Sequence, residues 1–417
     1  MSTETQATGA RATDQQDERL RQRSGWRGML AGFLERTRSG DLGVLPVIAG
    51  LLVIWAVLQA LNPIFLSSAN LSNLLMESVP VGVIALGVVC VLLVGQIDLS
   101  VGSVSGLSSA IVAVLFVNKG LPVFVAVLAA VLAGSVIGFV YAQIFTRFGV
   151  PTFVVTLAGL LGFLGLQLYV LGANGSINLP FDSSLVNFAQ LAFVPRPVAY
   201  VLVVLAAAAF FASGFLLARE RSRAGLSARP MSVIVVQSVL LLVALTAIVA
   251  FLNQTRGVGW MFVLLLALVL ALNYALTRTK WGRSVFAVGG NAEAARRAGI
   301  NVNAVFVSVM VLCSSFAALG GVLAAARLAA ANQSSGAGDV NLNAIAAAVI
   351  GGTSLFGGRG SAFAALLGII VIQSISSGLT LLNLDSSFRF MVTGAVLLLA
   401  VALDSVSRKS RTSHGRA

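Results

Sequence analysis

The sequence predicts an all-α, polytopic transmembrane helix bundle, and three observations predict it. Of 417 residues, 58% are hydrophobic and 10% are charged, against roughly 25% charged in an average soluble chain, and the mean hydropathy is +0.97. Apolar runs of about 17 to 25 residues recur, each sufficient to cross a hydrocarbon core of about 30 Å as a helix. The Lys and Arg residues fall in a few loops and tails that alternate spans place on one side. No ten-residue apolar/polar alternation of the outer-membrane barrel type is present.

The polar arm 1–42 is too long for a cleavable signal and is expected to be a disordered cytoplasmic tail. Arg36 and Arg38 then flank the first run, about Val44 to Leu61, and place the amino terminus inside. The remaining runs are about Val79–Gly95, Leu99–Val117, Val123–Phe145, Thr152–Leu171, Ala199–Ala218, Val233–Leu252, Trp260–Leu276, Ala304–Leu328, Ala344–Phe356, Ala362–Leu382 and Phe390–Leu403. That makes about twelve crossings with both termini cytoplasmic. Arg147, Arg219 to Arg229, Arg278 to Arg297 and Arg408 to Arg411 all fall on the inner side, whereas the long outer loop Ala173 to Pro197 carries only Asp182 and Arg196. The run at Ala344–Phe356 is short and also reads as a half-helix, so ten or eleven crossings fit as well. The expected organisation is a transmembrane domain over 43–405, with a cytoplasmic loop at 278–303 and a basic tail at 406–417.

The net charge of +13 would suggest nucleic acid in a soluble protein; here it follows the positive-inside pattern, and no nucleic-acid partner is expected. Cys90 and Cys313 lie inside apolar runs as small core residues. With His414 the lone histidine, neither a metal set nor a catalytic set is expected.

The most informative polar stretch is Asn291-Ala292-Glu293-Ala294-Ala295-Arg296-Arg297-Ala298-Gly299. Asn291 can cap the first free amides, Glu293 sits in the first turn, Arg296 and Arg297 sit in the last, and Gly299 suits a left-handed exit. Two turns of helix are unstable alone in water. The expectation is that a soluble partner docks on this segment.

Asp98 is a carboxylate between two apolar runs, within Gly95-Gln96-Ile97-Asp98-Leu99-Ser100-Val101-Gly102-Ser103. Either Asp98 or Ser100 caps the next span where water still reaches it, or the stretch is a hinge or gate contact. The glycine-dense segment Ile350-Gly351-Gly352-Thr353-Ser354-Leu355-Phe356-Gly357-Gly358-Arg359-Gly360-Ser361 cannot continue a helix. It lacks the lysine of a phosphate loop, which leaves a structural turn or a gate. Ile97 to Ser103 and Leu355 to Ser361 faintly echo each other, aligning Gly102-Ser103 with Gly360-Ser361. Gln143, Thr156, Gln167, Gln237, Asn273, Gln373, Ser374, Ser376, Ser377 and Thr380 put polar groups inside apolar runs. With the aromatic faces of Phe153 and Phe163 they suit an uncharged polyhydroxylated solute, although each also serves helix packing. Embedded Asp, Glu, His and Lys are nearly lacking, which argues against an ion-coupled secondary transporter and points to energy supplied by a separate protein.

Four motifs in order, Gly95 to Gly102, Gly289 to Ile300, Ala346 to Gly358 and Ala400-Val401-Ala402-Leu403-Asp404, resemble the membrane permeases of bacterial ABC-type monosaccharide importers. The likeness runs from about Leu71 to Arg408. The extra pair of runs at Ala199–Ala218 and Val233–Leu252, with Thr156-Leu157-Ala158-Gly159, resembles the xylose-type members. The chain departs from the pattern at Gly257-Val258-Gly259-Trp260 and at Gln96. The resemblance implies a permease dimer, an ATPase subunit with two nucleotide-binding domains that holds ATP and Mg, a periplasmic or extracellular sugar-binding protein, and a place in the bacterial plasma membrane. It assigns Asn291, Glu293, Ala294, Ala295, Arg296, Arg297 and Gly299 to a coupling helix on the ATPase. Asp98, Ser100, Gly102, Gly351, Gly352, Gly357 and Gly358 are the gate or pathway candidates, and Phe153, Phe163, Gln167 and Gln373 the substrate candidates. A branched-chain amino-acid or nucleoside permease of the same architecture is the other cargo class.

Overall fold

The computed structural model describes residues 45–385 and, beyond them, 387–388, 390–395, 398 and 402. The expected arm at 1–42, the basic tail at 406–417, both termini and part of the twelfth run lie outside the described residues; what is described of that run is helical. The helices are α1 Leu45–Leu61, α2 Ser68–Leu93, α3 Val101–Ala113, α4 Val123–Phe148, α5 Thr152–Leu171, α6 Ser184–Gln190, α7 Arg196–Arg223, α8 Met231–Leu252, α9 Trp260–Arg278, α10 Lys280–Gly290, α11 Ala292–Arg297, α12 Val302–Leu328, α13 Val340–Ile350 and α14 Ala362–Leu381. α3 continues through a π-helical turn to Asn118. The strands β1 Ser176–Asn178 and β2 Ala330–Asn332 pair antiparallel, Ile177 opposite Ala331, and clip the loop after α5 to the loop after α12.

Among the described residues, nine helices are long and apolar enough to cross a membrane, with α1 and α13 shorter. This is an all-α, multi-pass membrane protein. Helix starts follow local chemistry. Pro122, Pro151, Pro195 and Pro230 each immediately precede the first residue of α4, α5, α7 and α8, where the missing N–H would go unpaired in any case. Ser67 caps α2 by accepting from Asn70 N at 3.3 Å, twelve residues ahead of the apolar run that begins at Val79. The tenth run is a half-helix: α13 stops at Ile350 because Gly351 and Gly352 follow.

The described chain divides into two compact units. Residues 195–254 form the smaller, in which α7 and α8 pack as a pair, Gly214 closely approached by Ile234. α7 runs past the apolar stretch to Arg223, so its last turn carries Arg221 and Arg223.

In the larger unit α12 is the central post, packed against α2, α3 and α4. Several of its contacts are made backbone to backbone. A Cβ on Gly87 of α2 would lie 2.8 Å from Cys313 O, one on Gly320 would lie 2.7 Å from Pro80 O, and one on Gly321 would run into the carbonyl of Ser105 in α3. Small residues are what let helices approach when no hydrophobic drive separates helix from lipid. α14 completes the core against α2 and α13, and α1 is tied to it by Trp55 Nε1 donating to Ser374 Oγ at 2.9 Å and Asn62 Nδ2 donating to Leu381 O at 3.0 Å.

Replacing Gly321 by Leu is expected to lower the melting temperature of the detergent-solubilised protein by several degrees, because overpacking a tight contact costs roughly 1–3 kcal/mol. Gly162→Ala, at a position with open space, is the control and is expected to leave it unchanged or slightly raised. Equal melting of the two variants would contradict the close-packed post.

Candidate functional site

The loop 278–303 folds as two consecutive helices joined by polar caps. Thr279 Oγ1 accepts from Gly282 N at 3.2 Å at the start of α10. Asn291 Oδ1 accepts from Ala294 N at 2.9 Å at the start of α11, and Asn301 Oδ1 accepts from Ala304 N at 3.0 Å at the start of α12. Gly299 takes φ +82° between the last two, as its place after Arg297 and Ala298 predicts. The sequence conceals α10, since its lysine, arginine and paired glycines read as a polar connector. It is amphipathic: Gly282, Val285 and Val288 are buried while Lys280 and Arg283 are exposed. Trp281 Nε1 pins it to α12 by donating to Ser308 Oγ at 2.8 Å.

α11 packs on its own chain through Ala295, which is buried, and Ile300 N closes its exit on Ala295 O at 3.0 Å. What it leaves outward is Glu293, Ala294, Arg296 and Arg297, with Arg297 82% exposed. Glu293 pairs with Arg296 at 2.8 Å and with Arg297 at 3.7 Å. Exposed pairs of this kind add little stability. A shallow cavity of about 400 Å³, lined by Trp281, Ser284, Gly299, Ile300, Ala304 and Ser308, lies beside them.

Behind α11, two regions that the sequence presents separately come together. Gly358 N donates to Leu93 O at 2.8 Å, joining the glycine turn to the end of α2. Gly289, at the end of α10, has no room for a side chain because Leu93's carbonyl occupies its place, and a Cβ on Gly357 would lie 2.8 Å from Gly289 O and 2.9 Å from Gly95 N. Gly357 and Gly358 take φ +85° and +72°, which only glycine adopts without strain. Gly95, just ahead of the first segment of the faint echo, abuts the carbonyl of Phe356 in the second. The helices that follow nevertheless start at Val101 and Ala362, three residues off the register the glycines suggest. Gly351 and Gly352 stand apart from this joint: they end α13, and Gly351 packs against the Ala364 carbonyl of α14.

Asp98 is 2% exposed, so water does not reach it as the capping alternative requires. Its Oδ1 accepts from Ser100 N at 2.8 Å and Ser100 Oγ at 2.7 Å, a side-chain-closed turn ahead of α3. Ser100 holds the capping position without a side-chain cap bond. The segment is anchored at three points on two helices: Gln96 Oε1 accepts from Thr152 Oγ1 at 2.6 Å and Leu99 N donates to Thr156 Oγ1 at 3.2 Å, both on α5, and Gly102 N donates to Asn341 Oδ1 on α13. The buried thiol of Cys313, on the central post, lies beside the Asp98 carboxylate.

The four substrate candidates do not converge. Phe153 is 54% exposed on the outer face of α5, and Phe163 packs on Tyr141 with ring centroids 6.0 Å apart. Gln167 Nε2 donates to Asn332 O and Ser335 O, both at 2.9 Å, which fastens the loop after α12. Gln373 Nε2 donates to Glu77 Oε2 at 2.7 Å. Glu77 and its neighbour Arg327, 3.9 Å apart, are ionisable groups that the sequence reading leaves out. With the second run read from Val79, Glu77 counts as loop; the Ser67 cap with Asn70, Asn73 and Glu77 at helical spacing is the signal that places it inside α2.

A family model described as branched-chain amino acid transport system / permease component matches residues 70–401. The chain is 32% identical, over 91% of its length and 96% of the relative's, to the xylose transport system permease protein XylH of Escherichia coli K12. It is 33% identical over 90% of its length to XylH of Haemophilus influenzae, covering 99% of that protein, and 32% identical over 85% to the ribose import permease protein RbsC of Bacillus subtilis, covering 90% of that one. No solved structure matches.

The joint makes a paired prediction. Gly289→Ala is expected to cut transport at least tenfold with normal membrane amounts, since the added methyl must displace the end of α2 or the glycine turn. Gly290→Ala, with nothing nearby, is expected to transport as wild type. Uptake by the two variants, normalised to membrane protein, decides it.

Proposed function

This chain belongs to the family of branched-chain amino acid transport system permease components, and we propose from that premise that it is the membrane-spanning permease subunit of an ATP-driven importer whose cargo is a monosaccharide, xylose or a related pentose. The observation that carries the proposal is the outward face of α11: a capped helix, packed on its own chain through Ala295, that leaves Glu293, Arg296 and Arg297 exposed. Relatives named as xylose and ribose permeases over nearly the whole chain support the cargo class. The family description keeps branched-chain amino acids as the comparison arm of any uptake test.

In this reading the chain does no ATP chemistry. ATP and Mg belong to a partner ATPase with two nucleotide-binding domains, a sugar-binding protein delivers cargo on the outer side, and two copies of the permease form the transporter. α11 is the coupling helix. Movement imposed on it passes along α10 to Gly289, and from there directly to Leu93 and to Gly357 and Gly358. The gate is the pair of unwound segments, 94–100 and 351–361, at which two helical hairpins turn, α2 to α3 and α13 to α14. The ATPase biases which of two packings these hairpins adopt.

Three substitutions test the coupling role. Gly299→Val forces a β-branched residue into a left-handed exit. Glu293→Arg and Arg296→Glu reverse the charges at the two ends of α11, at a stability cost of about 1 kcal/mol or less because both sites are exposed. The expected result is unchanged permease in the membrane, weaker co-purification of the ATPase, and loss of transport-stimulated ATP hydrolysis and of labelled pentose uptake. Wild-type ATPase association and uptake in all three variants would reduce α11 to a solvated connector. Uptake of leucine and no pentose by the wild-type system would transfer the cargo to the amino-acid class.

A further inference from the structure

We propose that Glu77, Arg327 and Gln373 form a hydroxyl-binding subsite for the sugar in the outer half of the membrane, an inference that rests on the permease reading above. The first argument is depth. α2 spans Ser68–Leu93, about 39 Å at 1.5 Å per residue, longer than the roughly 30 Å hydrocarbon core. Glu77 lies nine residues into it, about 14 Å from its outer end, yet its side chain is 48% exposed. Arg327, 3.9 Å from it, sits in the last turn of α12, so the pair lies toward the outer end of the bundle, and a half-exposed carboxylate there favours water or polar matter over lipid.

The second argument is unused hydrogen-bonding capacity. A carboxylate has about four acceptor positions. Gln373 Nε2 fills one at 2.7 Å, while Arg327 Nη2 stands off at 3.9 Å, a loose pair that leaves both ions able to bind something else. The Arg327 guanidinium donates, the Glu77 carboxylate accepts, and the Gln373 amide does both. Neighbouring hydroxyls of a sugar each donate and accept, so a patch with both capacities over a few ångströms suits a polyol, and charge-assisted bonds give it strength. An acyl chain would satisfy none of these groups.

The third argument is the lane on which the patch sits. On α2, Asn70, Asn73 and Glu77 share one face at helical spacing, and on α14 Gln373 and Ser377 face them, Ser377 Oγ donating to Asn70 Oδ1 at 3.1 Å. Toward the inner side the same stripes turn apolar, with Val81 on α2 and Ile370, Leu366 and the exposed Phe363 on α14. Glu77 and Gln373 therefore stand at the inner end of a polar lane open from outside. That is where a delivered solute would stop in an inward-closed state.

The test uses the full transporter, with its ATPase and binding protein, in membrane vesicles. Cys90 and Cys313 are both buried, so Asn73→Cys supplies a reporter thiol one helical turn from Glu77. A charged, water-soluble thiol reagent is expected to modify it, and saturating xylose to slow the modification several-fold. Adding Glu77→Gln is expected to abolish that protection and to lower xylose uptake about tenfold or more, the worth of a hydrogen bond to a charged group, at unchanged permease levels. Modification indifferent to xylose, protection that survives Glu77→Gln, or a reporter that only cross-links to its twin in a second copy overturns the subsite; the last would make the patch a seam between copies. Wild-type pentose uptake alongside an unimpaired Glu77→Gln variant removes the subsite alone, whereas a wild-type system that moves no monosaccharide removes the permease reading with it.

Discussion

The structure depends on backbone-to-backbone contact between α12 and the three helices around it. In lipid there is little hydrophobic gain in bringing two apolar helices together, so association rests on close van der Waals packing. Gly87 of α2 against Cys313, Gly320 against Pro80 of α2, Gly321 against Ser105 of α3 and Gly138 of α4 against Met310 supply that packing over the middle of one helix. The consequence reaches beyond stability. Irregular backbone is tolerated at membrane depth only where protein surrounds it, and it is the packed post that encloses the unwound segment 94–100, with Asp98 closing its own turn beside Cys313.

The same device recurs at the inner side with a different outcome. Along α12 the glycines build a long rigid seam, whereas at Leu93, Gly95, Gly289, Gly357 and Gly358 they bring three chain ends to one small joint. Three helix ends meeting through carbonyls and amides have few side-chain contacts to rearrange when one of them moves. Three of the joint's residues, Gly95, Gly357 and Gly358, already hold positive φ and can change conformation where any other residue would be strained. A seam of glycines resists sliding, while a joint of glycines permits rotation; this chain uses both, a few turns of helix apart.

Much of this was legible in the sequence where a local rule is strong. The cap at Asn291, the left-handed exit at Gly299 and the stop after Ile350 are short-range chemistry that tertiary context had no reason to override. The apolar runs gave the spans because length alone identifies them. What escaped was whatever depends on a neighbour. α10 is amphipathic only with respect to α12, which its sequence does not announce. Asp98 looked like a cap because Ser100 follows it, but a buried carboxylate bonding two residues ahead is a turn. Glu77 was lost because five polar residues between Asn70 and Ser78 pulled the apparent start of α2 inward to Val79, although three of them, Asn70, Asn73 and Glu77, form one face of the helix while Ser72 and Ser78 are buried.

That last miss bears on how the two halves of α14 divide the work. Its inner end begins right after the glycine turn that Leu93 holds, and its outer half carries Gln373, bonded to Glu77 on α2. α2 is therefore tied to α14 or its leading turn at two depths, by a backbone bond at the joint and by a side-chain bond in the polar lane. A solute whose hydroxyls compete for Glu77 loosens the outer tie, and a displacement of α11 carried through Gly289 strains the inner one. In the proposed cycle the two signals act on opposite ends of the same helix pair, so neither needs an ion relay inside the membrane. Opening then requires both, which is the condition for ATP use to follow cargo.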